Sequence, residues 1–277
     1  MTTKDLLLDW LKPRLSVEAL AWLEAKSAQI TAGTSDNDVF SAFSAAVRHS
    51  GKMPLALSPD QLRTAAATVP GWNPGGWTCD EAVRAYLLLS LPATPKSAQL
   101  MDQLYETADL GETLALQKAL PLLANPEAHM QRAREGLRSN IKLAFEAVAL
   151  RNPYPALHFD ELAWNHLVVR TQFVDSPLEE VEGLDKRVNP TLSAMLVDLV
   201  QERWAAGRTI SPQIWRCVGP YADDQALDAL KRAYTEGDPA HQRAAAAALL
   251  SCPAKEKAAA ILNADPALAE AVRGGKN

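Results

Sequence analysis

Positively charged side chains fall on the apolar faces of two helical segments in the second half of the chain. At about 100° per residue, residues 159–174 place His166 and Arg170 inside an apolar arc, and residues 191–206 do the same for Arg203. An ionised group removed from water costs several kcal/mol unless it is paired and hydrogen-bonded. The three side chains are therefore predicted either to pair with internal acids or to line a cavity that holds an anion or polar ligand. The first arc contains Phe159, Leu162, Ala163, Leu167, Val169, Phe173 and Val174, with Asn165, Thr171 and Gln172 opposite; the second contains Leu192, Met195, Leu196, Leu199 and Val200.

Aromatic and polar residues close to these positions favour a small-molecule site. An arginine fork binds carboxylate or phosphate through two bonds and stacks on indole rings. Aromatic walls with a few convergent polar groups are the usual form of a ligand pocket, and a flat aromatic or an isoprenoid diphosphate would fit one. Internal braces to Asp160, Glu182 or Asp185 are the alternative. The candidate ligand-binding residues are Tyr154, Trp164, Asn165, His166, Arg170, Arg203, Trp204, Trp215 and Arg216.

The spacing of reactive residues supports no catalytic or metal centre, so we assign no catalytic residue, no metal and no cofactor. His158, Asp160 and His166 could be drawn as a metal cluster, but the last two lie about 120° apart on a helix. The sequence contains neither H-E-x-x-H nor C-x-x-C, and no glycine-rich nucleotide loop. Residues 139–142 match S-x-x-K without the companion motifs of penicillin-binding enzymes.

Composition indicates an ordinary globular protein. Of 277 residues, 48% are hydrophobic and 22% charged, and the net charge of -5 disfavours a broad nucleic-acid surface. The longest apolar run, Ala244 to Leu250, is far shorter than the roughly 18 residues of a membrane span, so we expect no membrane insertion. Three widely spaced cysteines, Cys79, Cys217 and Cys252, suit a reducing cytoplasm.

Apolar residues recur every three or four positions along most of the chain, which predicts an all-α fold. We expect a right-handed array of short helices with HEAT-like, α-solenoid character towards the C-terminus, where the small residues around HQRAAAAALL allow close helix packing; a plain helical array without true repeats is the alternative. The predicted N-cap residues are Ser35, Ser58, Thr78, Thr94, Asn189, Ser211 and Asp238, and the predicted helix-ending glycines are Gly33, Gly51, Gly111, Gly207 and Gly237.

Three segments are predicted to pack as one continuous unit. Residues 1–70 form an N-terminal helical cap, residues 71–222 a central body, and residues 223–277 the HEAT-like C-terminal helices. The break between the first two is the loop at residues 70–77, PGWNPGGW, whose glycines and prolines exclude regular structure. Its two tryptophans need cover, so it is not expected to be a solvated linker.

Residues 150–223 contain a distinctive set of residues, most of them aromatic, proline, asparagine, arginine or glycine. These are Asn152, Pro153, Tyr154, Pro155, Ala163, Trp164, Asn165, Asn189, Pro190, Glu202, Arg203, Trp204, Gly207, Arg208, Trp215, Arg216, Val218, Gly219 and Pro220. In these residues the segment resembles the EboA family. The resemblance implies a role in the handling or export of a secondary metabolite or its precursor. It also implies partner proteins encoded in the same gene cluster, which include a prenyltransferase and hydrolase-like proteins, and it carries over no catalytic residue.

The preferred hypothesis is a non-catalytic helical binding or scaffold protein that holds a small aromatic or prenylated compound. An all-α enzyme acting on an isoprenoid or aromatic molecule in a central tryptophan–arginine pocket is the alternative. Such enzymes generally hold Mg²⁺ through aspartate-rich clusters. Only Asp223 and Asp224 approach such a cluster, at a helix start where acids also suit the helix dipole. A purely structural adaptor that binds through its solenoid groove is a third hypothesis.

Overall fold

The computed structural model of the chain describes residues 2–275. Over this range the chain forms seventeen α-helices, and its only extended pairing is an isolated bridge between Pro54 and Thr78. The all-α prediction is confirmed. The helices are α1 (Thr3–Leu11), α2 (Val17–Ala32), α3 (Asp36–Ser50), α4 (Pro59–Thr68), α5 (Cys79–Leu88), α6 (Pro95–Thr107), α7 (Leu110–Ala119), α8 (Met130–Arg138), α9 (Lys142–Ala149), α10 (Tyr154–His158), α11 (Glu161–Phe173), α12 (Pro190–Ala205), α13 (Trp215–Val218), α14 (Asp224–Glu236), α15 (Pro239–Ser251), α16 (Lys255–Leu262) and α17 (Pro266–Arg273). Short 3-10 turns lie at Leu120–Leu122, Pro126–His129, Leu178–Glu180, Leu184–Lys186, Pro212–Ile214 and Gly219–Tyr221.

Side-chain caps determine where many of these helices begin. The side chains of Ser35, Ser58, Thr94 and Asn189 each accept a hydrogen bond from the amide N–H three residues further on. Such bonds satisfy backbone donors that have no partner within the helix. All seven predicted N-cap residues begin a helical segment.

Four of the five predicted stop glycines follow the ends of helices, at α2, α3, α12 and α14. The prediction for Gly111 is wrong, because this residue lies in the first turn of α7. Asp109 and Glu112 explain the difference. The Asp109 side chain accepts from the Glu112 amide at 2.8 Å, while Glu112 accepts from the Asp109 amide at 3.0 Å. This reciprocal pair starts a new helix directly before the glycine.

The chain divides into two compact units, Met1–Phe159 (unit 1) and Asp160–Asn277 (unit 2). The boundaries predicted from sequence, near residues 70 and 222, lie elsewhere, and the three-part division stays a prediction.

Helix α5 is the centre of unit 1. All ten of its residues are buried, and it packs against α1, α2, α3 and α7. Three indoles join the same core: the ring centroids of Trp10 and Trp72 are 5.6 Å apart, and those of Trp72 and Trp77 are 5.9 Å apart. The loop at residues 70–77 is therefore anchored in the core through both of its tryptophans.

A buried ion pair lies on α5. Arg84 Nη1 donates to Asp80 Oδ2 at 2.6 Å, and both side chains are at most 3% exposed. The Thr78 hydroxyl donates to the other Asp80 oxygen, and Arg84 Nε donates to the Phe43 carbonyl. Buried charges are tolerated when they are paired and hydrogen-bonded in this way. The pair therefore fixes the start of α5 against α3.

Helix α15 has the corresponding place in unit 2, where it packs against α13, α14, α16 and α17. Its buried face consists of small residues and one leucine: Ala245, Ala246, Ala248 and Leu249. Helices α14 to α17 make up the C-terminal segment that was predicted to be HEAT-like. Their HEAT-like stacking and the handedness of the array stay predictions.

Candidate functional site

The nine predicted binding residues are divided between the two units. Tyr154 lies in unit 1, and the other eight lie in unit 2. The eight lie on α11, α12 and α13.

Arg203 is a buried brace, as one of the two hypotheses from sequence expects. Its residue is 5% exposed, and its guanidinium donates to the Thr209 carbonyl at 2.7 Å and the Phe173 carbonyl at 3.2 Å. The third bond, at 2.6 Å, goes to Asp175 Oδ1. Arg203 therefore ties the end of α11 to the turn that follows α12. The acids proposed from sequence were the wrong partners, and Asp175 was missed.

Trp204 and Trp215 form an aromatic contact with the last helices. Their ring centroids lie 5.9 Å apart, and the Arg232 guanidinium lies 4.4 Å from the Trp204 ring centroid. The fully buried Trp215 donates its indole N–H to His241 Nδ1 at 3.1 Å. Because Nδ1 accepts, the proton of the neutral imidazole lies on Nε2, which donates to the Ile210 carbonyl at 3.1 Å.

Asn165 and Trp164 also have structural contacts. Asn165 and Asn189 exchange two side-chain hydrogen bonds, at 2.8 Å and 3.2 Å, and Asn189 at the same time caps α12. The Arg187 guanidinium lies 4.8 Å from the centroid of the buried Trp164 ring. The Trp164 indole N–H has no hydrogen-bond partner in the part of the chain that the structure describes. These contacts hold α11 against the start of α12.

The apolar arc predicted for α11 is wrong. His166 is exposed, Arg170 is only half-buried, and Leu162 and Phe173 are 66% and 54% exposed. The buried face instead consists of Trp164, Asn165, Leu167, Val168, Thr171 and Gln172.

The polar residues of the buried face explain why it lies on a different side of α11 from the predicted arc. Thr171 donates its hydroxyl to the Leu167 carbonyl at 2.9 Å, and Gln172 accepts from the Ser211 amide at 3.2 Å. A polar side chain with an internal partner can be buried at little cost. Hydrophobic periodicity alone therefore placed the inner face of α11 on the wrong side.

Arg216, the last of the eight, forms an ion pair with Asp185, whose side chain is 64% exposed. Its Nε donates to Asp185 Oδ1 at 2.6 Å, and its Nη2 bonds the second oxygen of the same carboxylate. The hydrogen bond to Asp185, opposed by burial, raises the pKa of Arg216. Ligand binding by the eight residues of unit 2 stays a prediction.

Tyr154 belongs to a tightly bonded segment of unit 1. Its ring is fully buried, its hydroxyl donates to the Pro126 carbonyl, and burial raises its pKa to about 12. The preceding Asn152 donates to the carbonyls of Gln117 and Ala147 at 3.1 Å and 3.0 Å, and accepts from the Tyr154 amide. Asn152 thereby joins α7 to α9.

A pocket of about 170 Å³ opens beside this segment. Helix α7 and helix α9 form two of its walls, and the loop at residues 70–77 with residues 150–152 forms the rest. Its lining residues are Asn73, Gly75, Gly76, Trp77, Leu114, Lys118, Leu143, Glu146, Ala147, Leu150, Arg151 and Asn152.

Ion pairs hold the charged groups of the pocket. Lys118 Nζ lies 2.6 Å from Glu81 Oε1, and the buried Glu81 also accepts from the Thr78 amide at the start of α5. Glu146 lies 3.7 Å from Lys142 on the same helix. The lining therefore offers both donors and acceptors, held in place by the core of unit 1.

Arg151 crosses the loop in a strained conformation. Its φ of 54° lies in the left-handed region, which is uncommon for a side chain of this size. Its Nη1 donates to the Gly75 carbonyl at 2.6 Å. Gly76 leaves room for it: the φ there is +81°, and an added Cβ would lie 2.6 Å from Arg151 Nη1. Residues kept in such conformations concentrate at ligand sites, at a cost of about 1–3 kcal/mol each.

Both the pocket and the predicted cluster lie within a family match. Residues 3–219 match the family described as "Metabolite traffic protein EboA". The chain belongs to the EboA family. The match covers α1 to α13, so the EboA resemblance, predicted from residues 150–223, extends through the N-terminal half as well.

No curated protein and no solved structure matches this EboA-family chain. In the described residues, no helix is both long enough and apolar enough to span a membrane.

Two segments that stand out in the sequence contribute to the unit 1 pocket. They are the tryptophan loop at residues 70–77 and the start of the EboA-like segment at residues 150–223. Lys118 and Glu146 were missed, because neither belongs to a local sequence pattern that marks a site. Only the packing of α7 and α9 brings their side chains to one opening.

Proposed function

We propose that this EboA-family chain is a non-catalytic protein that binds a small metabolite in the unit 1 pocket while the metabolite is passed between other proteins. The family description supports metabolite handling. The observation that carries the choice of site is Arg151, which keeps a strained backbone and reaches across a glycine loop at the rim of an opening. Strain of this kind persists only when the surrounding structure holds the residue in place, and such residues cluster at ligand sites.

The contacts of the pocket suit binding. Lys118 is tied to Glu81, and Arg151 to the Gly75 carbonyl. A general base would need a lone pair within reach of a substrate proton. Lys118 and Arg151 are held as hydrogen-bond donors, and Glu146, the one carboxylate of the lining, lies 3.7 Å from Lys142. Fixed donors position a ligand without reacting with it.

The size of the pocket limits what it can enclose. An engineered cavity of about 150 Å³ holds a benzene molecule, so about 170 Å³ encloses one ring-sized group. A prenylated or aromatic precursor, which the family resemblance suggests, would place only one such part inside. The remainder would stay accessible to partner proteins encoded in the same gene cluster.

A retention experiment tests this function. The purified chain is equilibrated with the small-molecule fraction of cells that naturally express it, gel-filtered and examined by native mass spectrometry. Leu143 lines the pocket and is 55% exposed, so Leu143→Trp should narrow the opening without disturbing the fold. Leu157, 63% exposed in the same unit and outside the lining, provides the matched control Leu157→Trp.

We expect the wild-type chain and Leu157→Trp to retain the same small molecule and Leu143→Trp to lose it. Retention by all three proteins would show that the molecule binds elsewhere. An empty wild-type chain would contradict the proposed function.

A further inference from the structure

The ionic side chains that line the unit 1 pocket already have protein partners. The lining contains two cations, Lys118 and Arg151, and one carboxylate, Glu146. Glu81 lies directly behind Lys118 at 2.6 Å, Lys142 lies 3.7 Å from Glu146, and Arg151 donates to the Gly75 carbonyl. A charged ligand of either sign would therefore approach a group of its own sign as well as an opposite one. This arrangement favours a neutral ligand.

The polar groups still have hydrogen-bonding capacity. An ammonium group has three N–H donors, and in the described residues Lys118 has one hydrogen-bond partner, Glu81. A carboxylate accepts at about four lone-pair positions, so Glu146 can accept from a ligand as well as from its protein partners. A hydroxyl is a neutral group that donates and accepts through a single oxygen. A molecule with several hydroxyls can therefore accept from Lys118 through one oxygen and donate to Glu146 through another.

The rest of the lining is apolar. Trp77, Leu114, Leu143, Ala147 and Leu150 supply carbon surface on the walls between the charged groups. A ring with C–H bonds on its faces and hydroxyls at its edge can contact the apolar residues with its faces and hydrogen-bond the charged groups with its edge. A hydrocarbon ring would displace water from the charged groups without replacing the hydrogen bonds that the water made.

We propose that this pocket binds a neutral polyhydroxylated molecule, or a polyhydroxylated head group, of about one six-membered ring. The inference rests on the proposed function, because it names the ligand class of the same site. It follows from paired charges, spare donor and acceptor capacity, carbon walls and a volume of about 170 Å³.

A series of probes of equal ring size tests the class. Saturation-transfer NMR with the full chain measures binding of three neutral polyols: myo-inositol, glucose and a methyl glucoside. The same measurement is made with cyclohexanol, cyclohexylamine and myo-inositol 1-phosphate, which represent an apolar ring, a cation and an anion. Leu143→Trp and its control Leu157→Trp locate the signal.

Variants of the carboxylate test the mechanism of selection. Glu146→Leu removes the acceptor and should weaken polyol binding by about tenfold, the effect of losing one hydrogen bond to a charged group. Glu135→Leu changes another glutamate of unit 1 that lies outside the lining, and should leave the affinity unchanged. Circular dichroism confirms that each variant is folded.

Binding of at least one neutral polyol that Leu143→Trp abolishes and Glu146→Leu weakens is the expected result. Binding of the phosphate, the amine or cyclohexanol at this opening, without any of the polyols, overturns the ligand class and leaves the proposed function intact. Failure of every polyol to give a signal sensitive to Leu143→Trp also overturns the class. The proposed function is judged separately, because the retention experiment needs no assumption about ligand chemistry.

Discussion

At the scale of single residues, the structure separates charges that hold the fold from charges that face an opening. Arg203 and Arg84 use their donors on internal carbonyls and one carboxylate each. Lys118 and Arg151 also donate hydrogen bonds to protein groups, but both side chains lie at the wall of a pocket. A charge on an apolar helix face is thus not sufficient to identify a site. Whether such a charge belongs to a site depends on where its partner lies and on whether an opening lies beside it.

Replacing Arg203 should measure the strength of its brace. We expect Arg203→Ala to lower the free energy of unfolding of unit 2 by about 2–3 kcal/mol, because two carbonyls lose a charged donor. Asp175 is 67% exposed, so the ion pair itself contributes little. Asp175→Asn removes the charge but keeps a side chain that tolerates the left-handed φ of 53°, and it should therefore cost less than about 1 kcal/mol.

Urea unfolding measures both changes, with Arg203→Met to separate packing from hydrogen bonding and His166→Ala as an exposed reference. Equal losses in Arg203→Ala and Asp175→Asn would show that the ion pair, and not the carbonyl bonds, accounts for the loss of stability.

His129 should make unit 1 sensitive to acid. Burial lowers the pKa of this imidazole, against the opposing effects of its bond to the Ala124 carbonyl and of Asp102. The unfolded chain takes up the proton near pH 6.5, where the folded chain does not. The contribution of His129 to stability is thus complete above about pH 6.5 and is lost as the pH falls towards the lower, folded-state pKa.

His129→Gln should flatten the decline in stability between pH 7 and pH 5, by at most about 1.4 kcal/mol per pH unit. Chemical unfolding at a series of pH values gives the two slopes, and pH 8 serves as the reference condition. Parallel curves for the two proteins across this range would rule out His129 as the source.

At the scale of helices, local signals predicted more than tertiary ones. The caps at Ser35, Ser58 and Asn189 were predictable because each depends on a side chain and an amide three residues away. The buried face of α11 was not, because Asn165 and Gln172 are buried through partners 24 and 39 residues distant. Sequence patterns show which side chains are polar. They do not show which of these will find an internal partner.

Two glycines in helices of unit 1 should respond oppositely to alanine. At Gly136 in α8, an added Cβ would lie 2.4 Å from Gln117 Nε2 and 2.6 Å from a Val148 methyl, so α7, α8 and α9 would have to separate. We expect Gly136→Ala to destabilise unit 1 by about 1–3 kcal/mol. At Gly111 in α7, the nearest atom would be Asp109 Oδ1 at an ordinary 3.4 Å.

Gly111→Ala should raise the free energy of unfolding by about 0.5–1 kcal/mol, because alanine loses less backbone entropy in a helix. Thermal and urea unfolding of the two variants measure the difference. Destabilisation of similar size at both positions would mean that loss of glycine itself, rather than crowding at Gly136, is responsible.

At the scale of the whole molecule, the helices after the family match belong to the core of unit 2. The match ends at residue 219, yet Trp204 and Trp215 within it contact Arg232 on α14 and His241 on α15. Two tryptophans bury a large apolar area, and the last helices provide much of their cover. The EboA-like segment of this chain therefore depends on residues that the family match does not include.

Truncation tests this dependence. Ending the chain after Ala222 removes α14–α17 and exposes Trp215, which is fully buried in the intact chain. Unit 2 should then lose its cooperative unfolding transition and its protection from protease, while unit 1 keeps both, because each unit has its own core.

Ending the chain after Asn263 is the matched control. It removes only α17 and leaves the partners of both tryptophans in place, so unit 2 should remain folded with reduced stability. Limited proteolysis with mass mapping distinguishes the units. A protease-resistant unit 2 in the shorter protein would show that the matched segment folds without these helices, and that their contacts to Trp204 and Trp215 are dispensable.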